Sequence, residues 1–337
     1  MTQRTPTRLR LSPGPLDATL SALNAVLGDY LRNRANPLDL GFSLYHQNEP
    51  LACRRDSIAA AYPAASRKVC VLVHGLAMNE GCWAFPEDRQ VSYGSLLEKD
   101  RGYTPLFVRY NSGLHISENG KSLSDTLAEL VSCYPGPVEE LVLIGHSVGG
   151  LVVRSACEVA RTAGEPWLDR VAHAFYIGSP HRGTSLERLG NVTTWVLKRI
   201  GDPHTKMVAK VLNLRSAGIK DLRFASLMAD DWAGRDPDAL LQNACAGVPL
   251  VEGPSHHFLV GTLGPSETDV LTRIFGDAMV SVASAGGPRQ DAGRLTSARE
   301  TVRLFPGVSH VALMHHPDVY AWIATCCSAR HDPAEAQ

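Results

Sequence analysis

What this chain lacks narrows its class before any motif is read. Its 337 residues carry 33 Lys+Arg against 34 Asp+Glu. So even a balance leaves no electrostatic footprint for nucleic acid or an anionic membrane surface, and neither is expected as a partner. No apolar run approaches the roughly 18 residues that a spanning helix needs, so no integral membrane segment is expected. Three arginines fall within Met1–Arg10, but no hydrophobic secretion segment follows them, and a cytoplasmic location is the expectation. The eight cysteines include no C-x-x-C pair, so no metal site is expected. Cys326 and Cys327 are adjacent, an arrangement that rarely bridges, and reduced thiols are expected throughout. Internal repeats and low-complexity tracts are also absent.

What is present is an alternation of helical and extended patterns. Leu16, Leu20, Leu23, Val26, Leu27 and Leu31 recur at helical spacing, which predicts an amphipathic helix over 14–33 that packs on the main body. Near-continuous apolar runs at 68–73 and 103–110 predict strands buried on both faces, the run at 141–144 predicts the strand before the next motif, and 171–178, 257–261 and 300–305 are read as further strands. A helix with Leu123, Leu127, Leu130 and Val131 on one face falls between two of them. Such alternation implies an α/β protein with a mostly parallel sheet between layers of helices. Between Gly183 and Pro254 the strand pattern stops. There Leu189, Val192, Val196 and Ile200, then Val208, Val211, Leu212 and Leu214, mark helices that would cover the carboxyl ends of the strands. The organisation read from these patterns is an N-terminal helical extension (1–66), the first half of the core (67–182), a helical cap (183–254), the second half of the core (255–330) and a tail (331–337).

The chemistry centres on Gly145-His146-Ser147-Val148-Gly149-Gly150, directly behind the run Leu141-Val142-Leu143-Ile144. A strand, a turn too tight for side chains beside the serine, and a helix-capable segment make a nucleophile elbow with Ser147 at its apex. A serine hydroxyl needs a base, and the base needs an acid to orient it; at an elbow the chain order is Ser, Asp or Glu, then His. His310, on the loop after the last strand, fits the base. His315 and His316 compete, but Pro317 makes them residues that open the final helix. Asp277, in a Gly-Asp turn beside apolar Met279 and Val280, is the acid candidate; Asp269 and Asp291 are its rivals. The oxyanion hole needs two amides, expected from Val148 and from Leu76 in the loop His74-Gly75-Leu76. His74 is expected to brace that loop. His146, Trp83 and Trp195 are candidates for lining the substrate pocket. Ser179 and His181, at the end of a strand, are expected to brace their own loop.

Taken together, His74-Gly75-Leu76, the elbow, Arg109 to Ser117 and Gly178-Ser179-Pro180-His181-Arg182-Gly183-Thr184 resemble α/β-hydrolases of the lipase and esterase type. Asp277 followed by His310 adds to the resemblance. It extends over about residues 67–325 and is closest to bacterial proteins similar to GPI inositol-deacylase and to triacylglycerol lipases. It implies an α/β-hydrolase fold with a helical cap, and cleavage of carboxylic esters through an acyl-enzyme without a cofactor. Ser147 would be nucleophile, Asp277 acid and His310 base, acting on a small-molecule or lipid ester. Two other readings share these residues. Acyl transfer uses the same triad with an alcohol or thiol in place of water, and a silent binding protein would use the fold without the chemistry.

Overall fold

Eight strands form one sheet in the order β2-β1-β4-β3-β5-β6-β7-β8. The computed structural model describes residues 15–183, 216–232, 248–264, 280, 282–285 and 299–328. The strands are β1 (Phe42–His46), β2 (Glu49–Leu51), β3 (Lys68–Val73), β4 (Thr104–Tyr110), β5 (Glu140–His146), β6 (Val171–Ile177), β7 (Ser255–Thr262) and β8 (Arg299–Pro306). β1 pairs antiparallel with β2 and with β4, and every other pairing is parallel. The first five helices are α1 (Pro15–Asn33), α2 (Arg55–Ala61), α3 (Tyr93–Arg101), α4 (Ile116–Cys133) and α5 (Val148–Ala163). Further helices include Ala217–Phe224 and Pro317–Cys326.

The central strands are apolar without interruption because both of their faces are covered. Val69, Val71 and Val73 of β3, and Leu141 and Leu143 of β5, point into a core shared with α4 and α5. Their neighbours Cys70, Leu72, Val142 and Ile144 point the opposite way, into a core shared with α3 and the helix Pro317–Cys326. On α4, Leu123, Leu127 and Leu130 form the buried face. Among the described residues, no helix is long and apolar enough to cross a membrane.

Two features differ from the sequence reading. Residues 42–51, inside the stretch read as a helical extension, form the hairpin β1–β2, which turns through Gln47 and Asn48, both at positive φ. And α1 forms as expected and buries Val26 and Leu31 of the expected face, but its buried surface extends onto small and polar residues. Leu16 is 66% exposed, whereas Asp17, Ser21, Asn24 and Ala25 are buried. Small residues win there because the backbones nearly touch: a Cβ on Gly28 would lie 2.0 Å from Asn111 Oδ1 and 2.9 Å from Gly113 Cα.

The strand order creates the crevice. β4 lies on one side of β3 and β5 on the other, so the chain leaves the carboxyl ends of β3 and β5 in opposite directions. Ligands of open parallel sheets bind at such a switch point. Val73 pairs with Gly145 at that end, which brings the loop after β3 against the turn after β5.

Candidate active site

Ser147 occupies the turn between β5 and α5, with φ 54° and ψ −124°. Few L residues accept a positive φ, and such conformations cost about 1–3 kcal/mol where surrounding structure enforces them. Here the enforcement is visible. The Ser147 N–H donates to the Ile177 carbonyl at 2.8 Å, and the Ser147 carbonyl accepts from the Gly150 N–H at 3.1 Å. Gly149 passes so close to β3 that a Cβ would sit 2.3 Å from the Val73 carbonyl oxygen, and one on Gly145 would sit 2.5 Å from Gly150. Val148 is the first residue of α5, so its N–H belongs to the unpaired positive end of a 16-residue helix.

The loop after β3 faces this turn. A Cβ on Gly75 would lie 3.1 Å from Ser147 Cβ and 3.0 Å from His146 Nδ1, so the loop backbone rests on the serine. Buried His74 holds the loop's shape. Its Nδ1–H donates to the Gly75 carbonyl at 2.8 Å, its Nε2 accepts from the Tyr110 N–H at 3.3 Å, and its ring stacks on Tyr110 at 4.3 Å. Burial lowers its pKa to about 3, which keeps it a neutral brace. Leu76 is buried next to Gly75. The Ala77 N–H donates to Ser112 Oγ at 3.1 Å, and Asn79 Oδ1 accepts from the Gly81 N–H at 3.1 Å.

Below the loop lies a cluster that the sequence did not signal. Arg109, near the end of β4, pairs through Nε with Glu80 at 2.6 Å and through Nη2 with the other oxygen of the same carboxylate. Its Nη1 and Nη2 reach Asp17 of α1 at 3.2 and 3.3 Å, and its guanidinium lies 4.3 Å over the Tyr45 ring. All three charged side chains are at least 92% buried. Burial works against the Arg109 charge, but Glu80 and then Tyr45 and Asp17 outweigh it and raise its pKa. The cluster ties the N-terminal helix to the loop that touches Ser147. Arg109→Ala leaves two carboxylates buried without a counter-charge and is expected to cost about 3–5 kcal/mol in urea unfolding. Arg109→Lys, which keeps charge but loses the fork, is expected to cost less. Equal losses for both would show that a positive charge without the fork contributes nothing, against this expectation.

His310 follows β8 and is buried. A Cβ on Gly178 would lie 3.1 Å from its Nδ1 and 3.2 Å from its Cε1. Gly178 is joined to Ile177, whose carbonyl accepts from Ser147. The fold therefore brings the His310 ring and the Ser147 backbone to two consecutive residues at the end of β6. The loop is anchored from below: His146 Nε2–H donates to the His310 carbonyl at 3.0 Å, with the two rings 4.7 Å apart. Burial first, then the neighbouring His310, holds the His146 pKa far below that of an ordinary histidine.

The remaining candidates fall as follows. Asp277, its rivals Asp269 and Asp291, and Trp195 lie outside the described residues. Trp83 is fully buried, with its ring edge-on to His146 at 6.4 Å. His315 Nε2–H donates to the Cys82 carbonyl at 2.7 Å, and His316 caps the final helix by accepting from the Asp318 N–H. His181 is braced by the Ser284 carbonyl and receives Arg154 Nη1–H on its Nδ1 at 3.2 Å. Among the described residues, no group of three or more His, Cys, Asp and Glu side chains is arranged to hold a metal ion.

A sequence model described as the alpha/beta hydrolase family matches residues 70–321. No curated protein sequence matches. Solved structures similar to this chain include a mature lipase of Bacillus licheniformis (17% identity, 78% of this chain and 92% of that one, TM-score 0.48). A thioesterase from the prodiginine biosynthetic pathway of Streptomyces coelicolor is 18% identical over 84% of this chain and 96% of its own, at TM-score 0.44. An esterase of Lactobacillus rhamnosis is 15% identical over 94% and 98%, at TM-score 0.42. With the family model spanning most of its length and a mostly parallel eight-stranded sheet to match, this chain belongs to the alpha/beta hydrolase family.

Proposed function

We propose that the protein is a serine hydrolase that cleaves carboxylic esters of small molecules or lipids. The observation that carries this reading is the strained Ser147 at the N-terminus of α5, with the His310 ring and the Gly75-Leu76 loop both packed around its turn. His310 takes the Ser147 proton as the hydroxyl attacks the ester carbonyl, and Asp277 orients the imidazole and stabilises its charged form. The Leu76 and Val148 N–H groups hold the developing oxyanion; α5 adds the positive end of its dipole. The alcohol leaves with the proton from His310, and water then releases the acid by the same steps in reverse.

The segment 183–254 is read as a cap that shapes the acyl site, with Trp195 as one of its lining residues. Its described part supports this. The Gly218 N–H donates to the Gly113 carbonyl at 3.1 Å, and Asp221 accepts from His115 Nδ1–H at 3.1 Å. Trp232 stacks on the same histidine at 3.6 Å. These contacts hold residues 216–232 over the loop that follows β4, at the carboxyl edge of the sheet. Trp83 and His146, fully buried, take the supporting place beneath the site.

A fluorophosphonate probe followed by peptide mass mapping tests the assignment. The expected result is one modified residue, Ser147, with loss of p-nitrophenyl ester turnover in proportion to labelling. Turnover that persists with Ser147 fully labelled would overturn it.

A further inference from the structure

Cys53 and Cys133 stand apart from the other thiols. Cys53 sits between β2 and α2, Cys133 is the last residue of α4, and 80 positions separate them, yet their sulfurs lie 3.5 Å apart. Of the other described cysteines, Cys70, Cys157 and Cys327 are buried, and Cys82 and Cys326 are half-buried. Cys53 and Cys133 are half-buried too, so a small oxidant can reach them. The segments around them are already joined, since Arg55 Nη1–H donates to the Pro135 carbonyl at 3.2 Å. A disulfide has an S–S length of about 2.05 Å, so closure brings the sulfurs together by about 1.5 Å.

We infer that Cys53 and Cys133 form an intramolecular disulfide when the folded chain meets a hydroperoxide, clamping the edge hairpin to the end of α4. One thiolate attacks the peroxide, its O–O bond breaks, and a sulfenic acid and an alcohol (water, for hydrogen peroxide) result. The second thiol gives up its proton and attacks that sulfur; the S–O bond breaks and hydroxide leaves as water. Two thiols and one hydroperoxide thus yield one disulfide, one alcohol and one water, with both sulfurs oxidised and the peroxide reduced. Burial, then the hydrogen bond and charge of Cys133 and the charge of Glu129, raises the Cys53 pKa. The bridge therefore closes slowly at neutral pH and acts as a structural staple. It encloses β3, the loop after it, β4 and α4, a long stretch whose closure restricts the unfolded chain.

The test treats the intact folded protein with hydrogen peroxide, denatures it, blocks free thiols and maps peptides without reduction. Titratable thiols are expected to fall from the eight of the sequence to about six. A cross-linked peptide carrying Cys53 and Cys133 should appear, and the melting temperature should rise by about 5 °C, reversibly with dithiothreitol. Neither Cys53→Ser nor Cys133→Ser is expected to show the rise. Recovery of Cys53 and Cys133 as free thiols, as sulfinic acids, or in bridges to other cysteines overturns the inference. The wild-type mapping decides the matter even where a variant fails to fold.

Discussion

Ser147→Ala is expected to lower kcat on p-nitrophenyl esters by about ten-thousand- to million-fold, with KM changed little. At the upper end that is about 8 kcal/mol of transition-state stabilisation, far more than a surface hydroxyl contributes to anything else. His310→Ala should be comparably damaging, because a serine without its base attacks no better than a missing serine. The informative measurement is the double variant. If the two residues act as one unit, removing both costs about as much as removing either; multiplied losses would mean that they act separately and would sink the mechanism. The backbone adds a second signature. Ser147 lies at φ 54°, ψ −124°, a conformation that glycine accepts without strain and alanine does not. Ser147→Gly should therefore raise the melting temperature while abolishing turnover, and Ser147→Ala should leave it nearly unchanged. A turn that holds strain only because function requires it behaves in this way.

That turn was legible because its requirements are local. The glycines at 145 and 149 answer to contacts with Gly150 and with the Val73 carbonyl, and an apolar strand before the serine marks where the turn must come. The central strands were legible for a related reason, since burial on both faces leaves an unbroken apolar run that no amphipathic helix produces. The hairpin at 42–51 was not. It lies at the sheet edge, where only Leu44 of β1 is buried, so alternation is faint. The small-residue part of the face that α1 buries was not legible, because close docking selects small side chains there and a pattern of leucines marks only Val26, Leu31 and their neighbours. The Asp17–Glu80–Arg109 cluster and the Cys53–Cys133 contact were invisible for a different reason. Their members are far apart in the chain, and nothing in the residues between them signals the pairing. His74 shows the opposite case. Its place out of triad order and just before the turn already marked it as a brace, and its bonds to Gly75 and Tyr110 supply that role.

Stability is expected to fall steeply between pH 6.5 and pH 5, the second large effect. Burial lowers the pKa of His74 to about 3, of His256 to about 4 and of His257 to about 3. His146 and His181, also buried, are lowered as well. In the unfolded chain a histidine takes its proton near pH 6.5, while native His74, His256 and His257 refuse it until about pH 4 or below. The unfolded state therefore binds more protons throughout that window, and each pH unit below 6.5 weakens the fold. At pH 5 the loss is about 2 kcal/mol for each of the three with stated values, or about 6 kcal/mol together. A native domain holds only about 5–15 kcal/mol in total. Among the described carboxylates one shift bears on this balance: burial raises the Asp221 pKa, so that side chain gains a proton in the native state first. Urea unfolding at pH 7.5, 6.5, 5.5 and 5 measures the slope, and a flat profile would refute the account. His257 offers the sharper comparison, since its ring stacks on Phe175 at 4.5 Å and its Nε2 meets His173 Nδ1 at 3.1 Å. His257→Gln removes one titration while its packing cost stays constant with pH. Its stability should therefore sit below the parent at pH 7.5 and close that gap by about 2 kcal/mol at pH 5. A gap that stays constant would mean that His257 is protonated in the folded protein, and that burial alone does not keep it neutral.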